Sequence, residues 1–206
     1  MRNGFVVLAV DSFSSRGHRE ICTKRDRPIL ESRERPRDAY GALRFLTERG
    51  LVRGDRVFLM GFSNGATATL YAVDEVGKPY ELAKEAGVAF KAAIAFYPGC
   101  TRAEKRGLTP AIPLAIFMGT LDDWTPTKPC KDLIEKAKSA GKDATIFLYE
   151  DAYHGFDVPG SKLRVRNDVR MNNRINLENG VHVGGNETAR NAAAGDVDAF
   201  LQKHRK

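Results

Sequence analysis

A chain of 206 residues with 42% hydrophobic and 29% charged residues is long enough to bury a substantial core and has the make-up of a globular protein, neither disordered nor fibrous. The formal charge of +7 raises the question of a phosphate-binding face. The bases alternate with acids, however, as in Arg19-Glu20, Lys24-Arg25-Asp26-Arg27 and Glu31-Ser32-Arg33-Glu34-Arg35, which describes a mixed solvated surface and no nucleic-acid stripe. No apolar run reaches membrane-spanning length, and Met1-Arg2-Asn3-Gly4 lacks the pattern of a signal peptide. The chain as written is expected to be soluble and cytoplasmic, and periplasmic or secreted if an amino-terminal signal is missing. Its length predicts a single domain over residues 1–206.

Phe5 to Val10 is a continuous apolar run, the pattern of a strand covered on both faces of a parallel sheet. Residues 12–36 are polar, contain Arg16-Gly17-His18, show no period and are expected to pass over the top of the sheet as a long loop. Between Arg37 and Arg49 the positions Ala39, Tyr40, Ala42, Leu43, Phe45 and Leu46 mark one face of a helix that Gly50 stops. A strand over 56–60 leads into Gly61-Phe62-Ser63-Asn64-Gly65 and then a helix from Ala66 to about Val76. Further strands are predicted at 90–97, 114–118 and 144–149, with a helix over 128–139 and a closing helix over 186–203. The stretch 158–185, rich in Arg, Asn and Gly, reads as a loop. Alternation of strand and helix gives an α/β doubly wound, mostly parallel sheet.

Cys22, Cys100 and Cys130 are too few for a disulfide framework and lack zinc-site spacing. Cys100 and Cys130 each follow a predicted strand at one end of the sheet, so a bridge between them is conceivable. Free buried thiols are expected in a cytosolic protein.

Gly61 to Gly65 fits G-x-S-x-G between a strand and a helix, the setting of a nucleophile elbow. Glycine is expected at both flanks because a side chain two residues from the serine would meet the neighbouring strand or helix. A serine hydroxyl needs a base and an orienting acid. Asp122 and Asp123 lie after the second strand beyond the elbow and His154 after the third, in the order Ser, acid, His, all at carboxyl ends of strands. Spacing leaves both aspartates open. His18 precedes the elbow, His182 has no strand before it, and His204 lies in a charged tail. Asn64 offers a backbone N–H to an oxyanion. Trp124 and Phe156 are equally compatible with lining a substrate pocket and with ordinary packing.

With these residues in view, the chain resembles the dienelactone hydrolase family of the α/β-hydrolase superfamily over nearly its whole length. The resemblance is carried by Gly4 to Phe13 with Arg16-Gly17-His18, by the elbow, by Ala95-Phe96-Tyr97-Pro98-Gly99-Cys100, by Gly119 to Pro126, and by Tyr153-His154-Gly155-Phe156. It implies hydrolysis of small-molecule esters or lactones through an acyl-enzyme, with no metal or organic cofactor. It also favours Asp122 over Asp123, since the family's acid stands four residues before the proline of that loop, here Pro126. Two features depart from the family pattern. The nucleophile is Ser63 where dienelactone hydrolases proper use cysteine, and Asp157-Val158 stand where an arginine would hold the substrate's carboxylate, which points to another carboxylic ester. The superfamily also places further strands before the one resembling Phe5 to Val10, and one of them carries a His-Gly loop that completes the oxyanion hole. Without them the expectation is an amino-terminally shortened hydrolase with unpaired or re-paired strands beside residues 56–60. A catalytically impaired or inactive binding module is the alternative from another class, and a serine peptidase is the alternative among enzymes.

Overall fold

The computed structural model describes residues 4–24, 26–171 and 178–205. Four apolar runs form one parallel sheet, β1 (Phe58–Phe62), β2 (Ala92–Phe96), β3 (Leu114–Gly119) and β4 (Ala144–Tyr149), in that spatial order. Both central strands are buried along their whole length, which is why they read as uninterrupted apolar sequence. The register sets Met60 beside Ile94, Ile94 beside Ala115, and Ala115 beside Thr145. Phe96, Phe117 and Phe147 stack across three strands with centroids 4.6 and 4.9 Å apart.

Helices α1 (Glu34–Glu48), α2 (Asn64–Ala72), α3 (Lys78–Glu85), α4 (Thr101–Lys105), α5 (Thr127–Ser139) and α6 (Glu187–His204) connect and cover the strands. Their buried residues, among them Leu43, Leu70, Leu133, Ile134 and Phe200, close one hydrophobic cluster around the sheet. Asn186 caps α6 by accepting the Ala189 N–H at 3.0 Å. Four strand boundaries agree with those predicted to within two residues. Helices α3 and α4 are too short to establish a period in sequence.

Two expectations about strands fail. Phe5 to Val10 forms no strand: the segment makes no ladder, and Val6 and Val7 are 61% and 86% exposed. Hydrophobicity qualifies a segment for a sheet, but a strand exists only where a neighbour accepts its backbone groups. Here β1 is an edge strand, the Phe5 and Phe58 rings meet in a T-shaped contact, and Met60 and Phe62 stay 41% and 45% exposed. Second, the predicted loop 158–185 contains an antiparallel pair, β5 (Arg164–Arg166) and β6 (Val181–Val183). Strands of three residues carry no readable alternation.

The long segment 12–36 is held by a two-pronged Arg16–Asp38 ion pair at 2.8 Å and by Arg35, which donates to the Asn64 side chain and lies over the Phe13 ring. Cys100 and Cys130 form a disulfide between the start of α4 and α5, correcting the expectation of free thiols. Parallel strands β2 and β3 deliver both residues to the same end of the sheet. Cys22 is free, and burial raises its thiol pKa.

At the β1–α2 turn Ser63 adopts φ 51° and ψ −120°. A Cβ on Gly61 would lie 2.3 Å from the Gly65 carbonyl oxygen and 2.5 Å from Thr69 Oγ1, so α2 packs directly on the strand. The nearest atoms a Cβ on Gly65 would meet are those of the flexible Arg35 guanidinium, from 3.4 Å. Only the first of the two glycines is therefore a steric requirement, which corrects the expectation for both flanks.

Gly61→Ala is expected to lose more than about 3 kcal/mol of stability in chemical denaturation, beyond ordinary overpacking, while Gly65→Ala melts with the wild type. Thiol titration in denaturant should count one reactive cysteine before reduction and three after it. The bridge closes a loop of 30 residues. Chain entropy then gives it about 3–4 kcal/mol, and the Cys100→Ser, Cys130→Ser double variant should melt roughly 7–15 °C lower.

Candidate active site

Because the strands are parallel, the turns after β1, β3 and β4 open at one end of the sheet, and they carry Ser63, Asp122 and His154 respectively. The structure brings the three side chains into one hydrogen-bonded line. Ser63 Oγ lies 2.8 Å from His154 Nε2, and His154 Nδ1 lies 2.9 Å from Asp122 Oδ2. A carboxylate only accepts, so Nδ1 carries a proton, and in the neutral ring Nε2 is then left to accept from the serine hydroxyl.

Asp122 and His154 are 5% and 4% exposed. A buried carboxylate is costly unless its lone pairs are filled. Asp122 fills them from its own loop: Oδ1 accepts the N–H groups of Trp124 at 3.0 Å and Thr125 at 2.7 Å, and Thr125 Oγ1 lies 2.8 Å from Oδ2. Asp123 points away from this line. Its carboxylate accepts the backbone N–H of His182 at 2.9 Å and meets His182 Nδ1 at 2.7 Å.

Thr125 and Tyr97 are members of the site that sequence reading misses. Thr125 Oγ1 lies 3.1 Å from His154 Nδ1 and 3.1 Å from the Tyr97 carbonyl oxygen, tying the turn after β2 to the acid loop. The Asp-x-x-Thr spacing signals the local turn, whereas Tyr97 stands in the sequence only as part of the run Ala95 to Cys100, with nothing that assigns it a role. Tyr97 sits at φ 41°, its ring 4.5 Å from the His154 ring and its hydroxyl donating to Asp157. Burial, reinforced by the Asp157 carboxylate, pushes its phenol far above the ordinary tyrosine range, so it stays a donor.

Trp124 lies beside His154, with ring centroids 4.6 Å apart, and its indole N–H donates to the Arg170 carbonyl at 3.1 Å. Phe156 is fully buried against Phe96, Tyr97 and Tyr149, which favours ordinary packing of the two readings left open for it. Asn64 is the first residue of α2, where a backbone N–H has no intrahelical acceptor. Its side-chain oxygen is taken by Arg35. The helix start also favours negative charge beside Ser63.

The remaining histidines stand apart from this line. His18 follows a short 3-10 turn and donates its backbone N–H to Phe13. His204 packs on Phe200 near Asp143, at the opposite end of the sheet, and burial lowers its pKa; the expected charged tail is part of α6. Among the described residues no group of three or more His, Cys, Asp or Glu could hold a metal ion, and no helix is long and apolar enough to cross a membrane.

Comparison with known proteins agrees with this architecture. A protein of a Bradyrhizobium species named "Probable 2-oxo-3-(5-oxofuran-2-ylidene)propanoate lactonase" is 23% identical over 167 residues, covering 74% of this chain and 62% of its own. Thermogutta terrifontis esterase 2, solved phosphorylated by paraoxon, superposes with a TM-score of 0.62 at 18% identity, over 86% of this chain and 65% of its own. A dienelactone hydrolase-like promiscuous phosphotriesterase from metagenomic libraries gives 0.59 at 17% identity, over 84% and 62%. The chain thus spans less than two thirds of the length of each of these relatives. Likeness at this identity carries the fold, an α/β sheet flanked by helices. The model of the dienelactone hydrolase family matches residues 1–204, and the chain belongs to that family.

Proposed function

We propose that the chain is a serine hydrolase of carboxylic esters or lactones that works through an acyl-enzyme. The observation that carries this is the unbroken line from Ser63 Oγ through His154, at 2.8 Å, to Asp122, at 2.9 Å. Ser63 Oγ attacks the acyl carbon as its proton passes to His154 Nε2. Asp122 keeps the ring in the tautomer that can take that proton and offsets the imidazolium charge. The Asn64 N–H donates to the oxyanion. Collapse of the tetrahedral intermediate expels the alcohol, protonated by Nε2, and water activated by the same nitrogen releases the acid and restores Ser63.

The family, the relative named as a lactonase and the likeness to esterases support esters and lactones over amides. Asp157 follows Phe156 and is engaged by Tyr97, so no arginine at that position holds a carboxylate, which favours substrates other than dienelactone. The Cys100–Cys130 bridge favours an oxidising compartment.

One observation favours a slower version of the same chemistry. With β1 at the sheet edge, Asn64 is the one oxyanion donor identified among the described residues, and loss of a second donor costs about 10²- to 10³-fold in rate.

A fluorophosphonate probe is expected to label purified wild type, and labelling should vanish in Ser63→Ala and His154→Ala. Asp122→Asn, which leaves the wrong tautomer, should lower kcat for p-nitrophenyl acetate by about 10⁴-fold. A folded wild type that neither labels nor hydrolyses would overturn the proposal.

A further inference from the structure

Adjacent aspartates bind different histidines in this protein. Asp122 takes the ring of His154, and Asp123 takes both the ring and the backbone N–H of His182, at 2.7 and 2.9 Å. Asp123 and His182 are half-exposed and lie outside the line from Ser63 to Asp122. The Tyr153 ring, from the residue preceding His154, stacks on His182 with centroids 5.0 Å apart.

The residues just after His182 support the loop that carries His154. Val183 bridges His154 in parallel, the Gly184 N–H donates to the His154 carbonyl at 3.1 Å, and the Asn186 N–H donates to the Phe156 carbonyl at 2.9 Å. Residues 183–186 are therefore the backbone neighbour of that loop. Nearer the sheet, the loop is tied to the acid loop, with Leu121 N–H on the Ala152 carbonyl at 3.1 Å. Past residue 152 the loop is bonded along its backbone by Val183 of β6 and the residues that follow it. β6 is in turn paired with a strand of only three residues, of which Val165 is 48% exposed. So short a pair has few ladder bonds of its own, although Val181 and Val183 of β6 are buried.

We propose that Asp123 and His182 form a positioning pair, which locks β6 to the acid loop so that the backbone of His154 stays fixed between Ser63 and Asp122. This role rests on the proposed hydrolase activity for its kinetic consequence, and on the geometry alone for its structural one. His154 must pass a proton from Ser63 to a leaving group without losing its bond to Asp122. A displacement of about 1 Å in such a group can cost on the order of 10²-fold in rate.

The test uses the full chain with Asp123→Ala, His182→Ala, His182→Asn and the double alanine variant, all checked for a cooperative melt. Hydrolysis of p-nitrophenyl acetate and the low-field NMR proton of the His154 Nδ1–H are measured on each. Asp123→Ala loses both contacts and is expected to lower kcat about 10- to 100-fold, with KM within about twofold. His182→Ala keeps the backbone bond and should lose less. The double variant should be no worse than Asp123→Ala, as coupled partners require. Asparagine places an N–H near the position of Nδ1, so His182→Asn should restore both kcat and the NMR signal.

Wild-type kcat and an unchanged low-field proton in folded Asp123→Ala would overturn the proposal. So would a kcat loss that His182→Asn fails to restore. A wild type without hydrolysis would tell against the hydrolase reading, and the NMR comparison would still decide whether the pair positions His154.

Discussion

A carboxylate with no solvent exposure must have its lone pairs filled, and the way Asp122 meets that demand organises the surrounding elements. The loop after β3 curls until the Trp124 and Thr125 N–H groups face Oδ1, and that curl brings Thr125 Oγ1 within reach of Oδ2, His154 Nδ1 and the Tyr97 carbonyl. Helix α5 starts directly after the curl, with Thr127 Oγ1 bonded to the carbonyl of Gly119. The same helix carries Cys130, whose disulfide returns to the turn that begins at Tyr97. The turns after β2 and β3 are thereby joined by a hydroxyl at one point and a covalent bond at another. His154 then closes the set by packing its ring between the aromatic residues these two turns supply, Tyr97 and Trp124.

Much of this was legible in the amino-acid sequence, and the pattern of what was not has physical causes. Ser63 could be found because its turn needs Gly61, where a side chain would strike the backbone of α2. His154 could be found because parallel strands send every functional turn to one end. The choice between Asp122 and Asp123 could not be made from spacing, since both stand in one turn; in the structure the loop's N–H groups face Asp122, the carboxylate that meets His154. Thr125 hinted at itself through a local turn, whereas Tyr97 and His182 owe their positions to partners 28 and 59 residues away.

Phe5 to Val10 shows the same division from the other side. Composition reports how well a segment would suit a sheet, and pairing depends on a neighbour elsewhere in the chain. The strands β2, β3 and β4 had such neighbours and formed as their apolar runs foretold. Phe5 to Val10 had the better pattern of a buried strand than β1, yet β1 found a partner in β2 and the earlier segment found none.

The outer side of β1 has a consequence for how copies of this chain behave toward one another. Natural sheet edges are blunted by lysine, proline, a bulge or a covering element, which act as gatekeepers against strand addition. Phe58-Leu59-Met60-Gly61-Phe62 contains neither charge nor proline, and Met60 and Phe62 are exposed. Such an edge is a template for β-augmentation, and the strand that offers it ends one residue before Ser63. Self-association through it would reach the backbone of the elbow itself, which follows the strand directly.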